Sequence, residues 1–152
     1  MAPRIRQCDG MTFLDLPADL ADRPLTDSGL VADILGLLVS EPDRRRGCLL
    51  FALCDAQCRL VQPFVVHDVP DLLSIQERET ILDVFVRILT DRDRQGSLLL
   101  ALGRAAGLSA TQDDLDWRAA VERACRGRAT LLGVHIITPE GSRPVPRSSA
   151  AA

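Results

Sequence analysis

Residues 98–116 read LLLALGRAAGLSATQDDLD, and one kind of secondary structure passes into another within this stretch. The first five residues are apolar, which is typical of a buried β-strand. Thr111, Asp113 and Asp114 are residue types that begin helices, and a loop of small residues separates them from the strand. A strand, a loop and a capped helix in this order predict one unit of an α/β domain. Many α/β proteins carry their functional groups at such a junction.

Apolar patterning on both sides of this unit predicts the same architecture. Upstream, two apolar runs separated by the turn DAQ (55–57) predict a β-hairpin. In chain order the predicted elements are a helix that begins at 26–28 and is ended by Pro42, a turn at 43–47, strands at 47–54 and 58–68, a helix that begins at a Ser74–Glu77 capping box, a strand at 97–103, a helix at about 112–125 and a strand at 129–141. This order predicts a three-layer α/β domain with a mixed sheet, in which a hairpin is followed by a strand–helix–strand unit.

The two ends of the chain differ in composition from its centre. Residues 1–24 are predicted to form a partly flexible arm, in which MTFLDLP (11–17) is either a short strand or a segment packed on the core. Residues 25–141 are predicted to form a single domain, because 152 residues are enough for one hydrophobic core. Residues 142–152, SRPVPRSSAAA, are rich in Pro, Ser and Ala and are predicted to be disordered.

The charge balance limits the classes of partner. A net charge of −3 and a pI of about 5.3 argue against a nucleic-acid-binding protein with a broad basic surface. All 18 basic residues are Arg, while Lys and Asn are absent, which is typical of a bacterial protein from a GC-rich genome. Clusters of Arg are therefore weak indicators of phosphate recognition in this chain.

The sequence also predicts a compartment. The N-terminal MAPRIRQCDG lacks the apolar segment of a secretory signal, and no apolar run approaches the roughly 20 residues that span a bilayer. Without such a signal, the five cysteines are expected to be reduced thiols. We therefore expect a cytoplasmic protein without a membrane partner.

Three segments together resemble a known family. The hairpin GCLLFALCDAQCRLVQPFVV (47–66) resembles the opening strands of RadC-like proteins, in which an apolar strand ends in an Asp-Ala-Gln-like turn. SLLLALGRAAGLSATQDDLD (97–116) lies where that family carries its metal motif, and LLGVHIITPEG (131–141) resembles its closing strand. RadC-like proteins belong to the JAB/MPN superfamily of zinc metallopeptidases. The resemblance extends over roughly residues 25–141 in element order, and it implies a JAB/MPN-like domain with the layering of cytidine deaminases.

The zinc ligands of that superfamily are replaced in this chain. The family pattern is His-x-His at the strand end, seven residues, then Ser-x-x-Asp on the next helix, with a Glu elsewhere as general base. Two imidazoles and one carboxylate leave the fourth zinc position to water, as hydrolysis requires. Here the strand ends in Leu102-Gly103-Arg104, and Thr111-x-x-Asp114 follows about one residue closer. Arg104 cannot bind zinc because its guanidinium stays protonated, so the resemblance implies the fold and argues against the reaction.

Four residues are candidates for the lining of a ligand or partner cleft: Arg104, Thr111, Asp114 and His135. His135 matches the closing-strand histidine of the resembled family, although Val134 stands where its Asp would be. Thr111 and Asp114 also have a simpler interpretation as a helix cap, since an acidic residue in the first turn is favoured by the helix dipole. No residue is assigned a catalytic role, and no metal or cofactor is expected.

Two further groups of residues receive structural interpretations. Cys54 and Cys58 are spaced C-x3-C, but a structural zinc site needs four ligands and no second close pair exists. The loop between Gly103 and Gly107 precedes a helix, which favours anions, yet it lacks the GxGxxG spacing and the lysine of a phosphate-binding loop. Neither group predicts a site.

Charged residues near the strand ends are expected to have structural or solvated positions. His67-Asp68 lies at a strand end, but no nucleophile motif such as GxSxG accompanies it. Two arginine groups, at 44–46 and at 92 and 94, lie in loops that enter strands, and would form one basic patch if those strands were parallel. Neighbouring aspartates partly cancel this charge, so solvated loops are expected.

Three functions remain open on the sequence alone. The first is a non-catalytic JAB/MPN-like domain that acts as a binding or regulatory module for a protein or peptide, including a peptide that adds a strand to the sheet. The second is an enzyme that uses Asp114, Arg104 or His135 for chemistry without zinc. The third is a DNA-associated protein, by analogy with RadC, against which the acidic pI argues.

Overall fold

The apolar runs of the sequence form one mixed β-sheet. The computed structural model describes residues 4–7, 23–70, 73–92 and 95–146, and for 4–7 and Ser28 the backbone alone. The strands in these ranges are β1 (Arg4–Gln7), β2 (Cys48–Cys54), β3 (Leu60–His67), β4 (Ser97–Gly103), β5 (Thr130–Thr138) and β6 (Gly141–Pro144). The helices are α1 (Ser28–Leu38), α2 (Glu41–Arg46), α3 (Ile75–Arg92) and α4 (Gln112–Cys125).

The order and direction of the strands agree with the predicted hairpin and the predicted strand–helix–strand unit. The sheet runs β1-β3-β2-β4-β5-β6. The neighbours β2 and β3 are antiparallel, as a hairpin requires, while β4 and β5 are parallel and are joined through α4. The α/β class, the mixed sheet and the strand–helix–strand unit are thus confirmed.

The two central strands are buried on both faces, so helices cover the sheet from both sides. In β2 and β4 every second side chain packs with α1. The core on this face of the sheet includes Ile34, Leu35 and Leu38 of α1. The alternate side chains, including Phe51 and Leu100, pack with α3 and α4. This alternation follows from the two-residue repeat of a strand. The result is helix, sheet and helix in three layers.

Residues 41–46 form a helix where the sequence predicts a turn. Ser40 caps this helix, and its Oγ accepts a hydrogen bond from the backbone N–H of Asp43 at 3.3 Å. Pro42 lies in the first turn, where its missing N–H removes no helical hydrogen bond. Acidic residues in the first turn and three arginines in the last turn complement the helix dipole. Pro42 therefore lies inside a new helix, whereas α1 already ends at Leu38.

The C-terminal boundary of the domain lies beyond residue 141. The predicted tail begins at 142, but Gly141–Pro144 forms β6, which pairs antiparallel with His135–Thr138. The backbone N–H of Val145 donates to the carbonyl of Val134 at 2.7 Å, and Val145 is buried. Pairing and burial together order residues 142–145, whose composition predicts disorder, and residues 147–152 of the predicted tail lie outside the described residues. The predicted segment at 11–17 lies outside the described residues, and within the predicted arm residues 4–7 pair with β3.

The helices are short or polar by the standard of membrane proteins. No helix among the described residues is both long and apolar enough to cross a bilayer. The longest, α3, spans 18 residues and carries charged side chains along its length.

Candidate functional site

The strand β4 ends at the loop that the sequence singles out. Arg104 follows the last residue of β4, and its backbone N–H still donates to the carbonyl of Ile137 in β5 at 3.0 Å. The chain then leaves the sheet and reaches α4, whose N-cap is Thr111. The loop of residues 104–110 therefore begins beside the C-terminal end of β5 and connects β4 to α4.

Thr111 and Asp114 form a reciprocal capping box. The Thr111 side chain accepts a hydrogen bond from the backbone N–H of Asp114 at 3.2 Å. The Asp114 side chain accepts one from the backbone N–H of Thr111 at 2.8 Å. The capping interpretation of Thr-x-x-Asp is confirmed, and it gives both side chains a structural task.

Arg104 holds the loop against this cap. Its Nη1 donates to both carboxylate oxygens of Asp114, each at 2.8 Å. Its Nε and Nη2 donate at 2.8 Å to the carbonyls of Gly107 and Ser109. Gly107 has a φ of +95°, a conformation that L side chains rarely adopt. The guanidinium thus joins two loop carbonyls to the first turn of α4.

The ion pair between Arg104 and Asp114 is largely removed from solvent. The Asp114 side chain is 3% exposed and the Arg104 side chain 25% exposed. Asp114 accepts hydrogen bonds from the guanidinium and from the backbone N–H of Thr111. The guanidinium therefore balances its charge, and both carboxylate oxygens have donors. A pair of this kind is strongly stabilising relative to either charge alone.

A second ion pair fixes α3 beside α4. Arg78 of α3 is buried and donates to the carboxylate of Asp113 and, at 2.7 Å, to the carbonyl of Leu73. Its guanidinium also lies over the ring of Trp117, 5.4 Å from the centroid. A cation at that distance from an aromatic face is attracted by the ring. The carboxylate of Asp113 is therefore engaged as well.

Arg104, Asp113, Asp114 and Trp117 line a cleft of about 290 Å³ at one end of the sheet. Its lining includes Leu102, Gly103 and Trp117, together with three aspartates that each have an arginine partner: Asp68 with Arg46, Asp113 with Arg78 and Asp114 with Arg104. Within the described ranges no group of three or more His, Cys, Asp or Glu residues has the arrangement of a metal site. The cleft presents paired charges and an aromatic wall.

His135 lies on the opposite face of the sheet from this cleft. Its neighbours in β5, Val134 and Ile136, pack with α3 and α4, whereas the alternate residue Ile137 packs with α1. His135 lines a separate groove of about 260 Å³. Burial lowers the pKa of His135, and the charge of Arg118 lowers it further. Three of the four candidate residues therefore meet, and His135 does not join them.

Asp43 is a partner of His67 that sequence reasoning missed. His67 Nε2 lies 3.6 Å from Asp43 Oδ1, and both residues are buried. The adjacent Asp68 pairs instead with Arg46 at 2.9 Å. The sequence neighbours His67 and Asp68 thus have different partners, because Asp43 reaches the sheet from α2. No local motif marks Asp43, since its position depends on how α2 packs.

Arg118 is a second residue missed in the sequence, although a signal for it exists. It lies four residues after Asp114 and three before Val121, on the buried stripe of α4. Its Nη1 donates to the carbonyl of Val145 at 3.2 Å. An arginine at an apolar position of an amphipathic helix indicates a special partner or site.

The described cysteines have the character of core residues. Burial raises the pKa of the Cys54 thiol to about 12 and that of Cys125 to about 11. A thiol with such a pKa is a poor nucleophile and a poor metal ligand at neutral pH. Cys54 and Cys58 are both free thiols.

Arg46 and Arg92 lie toward opposite ends of the sheet, because β2 and β4 are antiparallel, and Arg94 is outside the described residues. In this register Cys48 is opposite Gly103 and Cys54 is opposite Ser97, so the chain enters β2 and β4 from different ends. The single basic patch that parallel strands would create is absent from the described residues.

Among known proteins, no family model, curated protein or solved structure matches the chain.

Proposed function

We propose that the chain is a non-catalytic binding module on a JAB/MPN-like scaffold, in which a buried ion pair stands where related domains bind zinc. The single observation that carries this proposal is the contact of Arg104 with both oxygens of Asp114, each at 2.8 Å. Asp114 is the carboxylate that corresponds to the Ser-x-x-Asp ligand of the resembled superfamily.

The guanidinium supplies part of what a zinc ion supplies there. It neutralises the buried carboxylate and fixes the loop to the helix. It has no vacant coordination position and cannot activate a water molecule, which is the chemical task of a catalytic zinc. A scaffold stabilised in this way retains its cleft and its sheet edges for a protein or peptide partner.

Metal analysis tests this proposal. The protein is expressed in zinc-supplemented medium, incubated with zinc, desalted and measured by inductively coupled plasma mass spectrometry. We expect zinc far below one equivalent per chain, and the same value in Asp114→Asn. About one equivalent in the wild type, lost in Asp114→Asn, would mean that this end of the sheet is a metal centre.

A further inference from the structure

The exposed edge of β5 is only half covered by β6. Their pairing runs from His135 to Thr138, and the Val145 N–H to Val134 carbonyl bond extends it by one step. Residues 131–133 lie beyond this point, and among the described residues nothing donates to or accepts from their backbone on that edge. Unpaired strand edges are templates on which an extended peptide can add as a further strand.

The open edge is irregular, which disfavours indiscriminate pairing. Leu98 of β4 is opposite Leu131 and Leu99 is opposite Gly133, so Leu132 is the extra residue of a β-bulge. Bulges twist an edge away from flat pairing with an identical edge. Gly133 has no side chain, and a Cβ at this position would lie 3.2 Å from Nε2 of His135, so the glycine leaves room for that imidazole. The edge is therefore suited to one added chain of matching shape.

A groove at this edge is lined by apolar residues and by Arg118. Leu25, Val31 and Leu132 belong to the core on the α1 face, where His135 also lies, whereas Arg118 reaches the groove from α4. The groove measures about 260 Å³. Side chains of an added strand alternate between the two faces of the sheet, so one can contact the apolar residues of the α1 face while its neighbour contacts Arg118 of α4.

The Nε of Arg118 is buried and has no hydrogen-bond acceptor among the described residues. Its side chain is 90% buried, since its exposed fraction is 10%, and it lines the groove. Nη1 donates to the Val145 carbonyl, but Nε has no hydrogen-bond acceptor. The carboxylate of Glu122 is 3.6 Å from Nε, too far for a hydrogen bond, and is 30% exposed. A buried guanidinium whose Nε lacks a hydrogen-bond acceptor is suited to a carboxylate, which can bind its edge through two oxygens.

We propose that the edge of β5 at residues 131–133 binds an extended peptide segment, and that Arg118 selects a Glu or Asp side chain within it. This inference rests on the proposed binding function and names the class of partner. A second copy of the chain fits less well, because it would bring the same arginine to the same edge and because the bulge opposes flat pairing.

Nuclear magnetic resonance titration of the ¹⁵N-labelled full chain tests the inference. The probe is the peptide acetyl-Thr-Val-Glu-Val-Thr-amide, compared with its Glu→Gln counterpart and with a copy that is N-methylated at both valines. We expect shifts at the amides of residues 131–133 and at Arg118 Nε. We also expect at least about tenfold weaker binding of the Gln peptide, because it loses a charged hydrogen bond. The N-methylated copy should not bind.

Two variants make the test independent of any loss of folding. Arg118→Gln should bind the Glu and Gln peptides equally. Glu122→Gln removes only the competing carboxylate and should bind the Glu peptide up to about fivefold more tightly, the range set by exposed ion pairs. Equal binding of both peptides to the wild type, shifts confined to other edges, or Glu122→Gln without tighter binding would overturn the inference.

Self-association and metal content separate the remaining outcomes. Concentration-dependent loss of the same amide signals without peptide would assign the edge to a second copy and overturn the peptide proposal. Zinc-free protein that fails to bind the peptide would overturn this inference and leave the proposed loss of the metal site standing. Zinc-loaded protein would overturn the proposed function itself, whatever the peptide does.

Discussion

At the scale of single residues, one arginine holds the loop at the cleft against the first turn of α4. Arg104 uses Nε, Nη1 and Nη2 to bind two loop carbonyls and a buried carboxylate. Sequence spacing alone predicts the cap formed by Thr111 and Asp114, because a capping box is local. The contacts of Arg104 were beyond prediction, because they depend on the path of the loop between them.

Thr111→Ala is expected to lower the free energy of unfolding by about 1 kcal/mol, the usual cost of losing an N-cap side chain. The substitution leaves the backbone N–H of Asp114 without its acceptor. Urea denaturation followed by circular dichroism measures the change. Ser109→Ala is the matched control, since Ser109 is exposed and takes part through its carbonyl. An equal loss in both variants would show that the cap contributes nothing specific.

His135 is expected to make the fold less stable at mildly acidic pH. Its pKa in the folded chain lies below the ordinary value of 6.5, because burial and the charge of Arg118 disfavour the imidazolium. As the pH falls through 6.5, the unfolded chain binds a proton that the folded chain does not. The free energy of unfolding therefore falls until the pH reaches the folded pKa, and it stays lower below that point.

Urea unfolding at two pH values, about 7.5 and 5.5, measures this effect in the wild type and in His135→Gln. Groups other than His135 contribute equally to both proteins, so the variant should lose less stability on acidification. A variant that loses as much as the wild type would contradict the assignment, as would an NMR titration midpoint of His135 at or above 6.5.

At the scale of elements, the longer helices and strands were predictable and the short ones were not. Apolar periodicity needs several repeats, and β2, β4 and α4 provide them. The six residues of α2 and the four of β6 are too short for a periodic signal. Capping by Ser40 orders α2, and pairing with β5 orders β6, so each depends on a contact that composition does not reveal.

Val145→Ala is expected to lower the free energy of unfolding by about 2 kcal/mol, because it removes two buried methyl groups. Val145 is 2% exposed and packs in the core beneath α4. Thermal or urea unfolding gives the value. Arg143→Ala, at an exposed position of β6, should change it by less than about 0.5 kcal/mol. No effect at Val145 would mean that the C-terminal segment does not contribute to the core.

At the scale of the whole molecule, strand direction decides which residues lie at the same end of the sheet. The antiparallel pairing of β2 with β4 sends Arg46 and Arg92 to opposite ends of the sheet. Strand alternation shows that His135 faces away from Val134 and Ile136, but only the packed helices show which face holds the cleft. The mixed α/β fold was therefore predictable from element order, as was the meeting of Arg104, Thr111 and Asp114, while the separation of His135 from them was not.

The central claim is that the pair formed by Arg104 and Asp114 holds this end of the sheet together. Because Asp114 is buried, Arg104→Gln alone should lower the free energy of unfolding by about 3 kcal/mol, since it leaves a carboxylate without its cation. Asp114→Asn keeps an oxygen for the cap and removes the charge.

A double-mutant cycle of Arg104→Gln and Asp114→Asn, measured by urea unfolding, tests this claim most directly. We predict that the double variant is more stable than the sum of the single losses implies, by at least about 1.5 kcal/mol. Losses that add to within about 0.5 kcal/mol would contradict it, because residues that act independently show no such coupling.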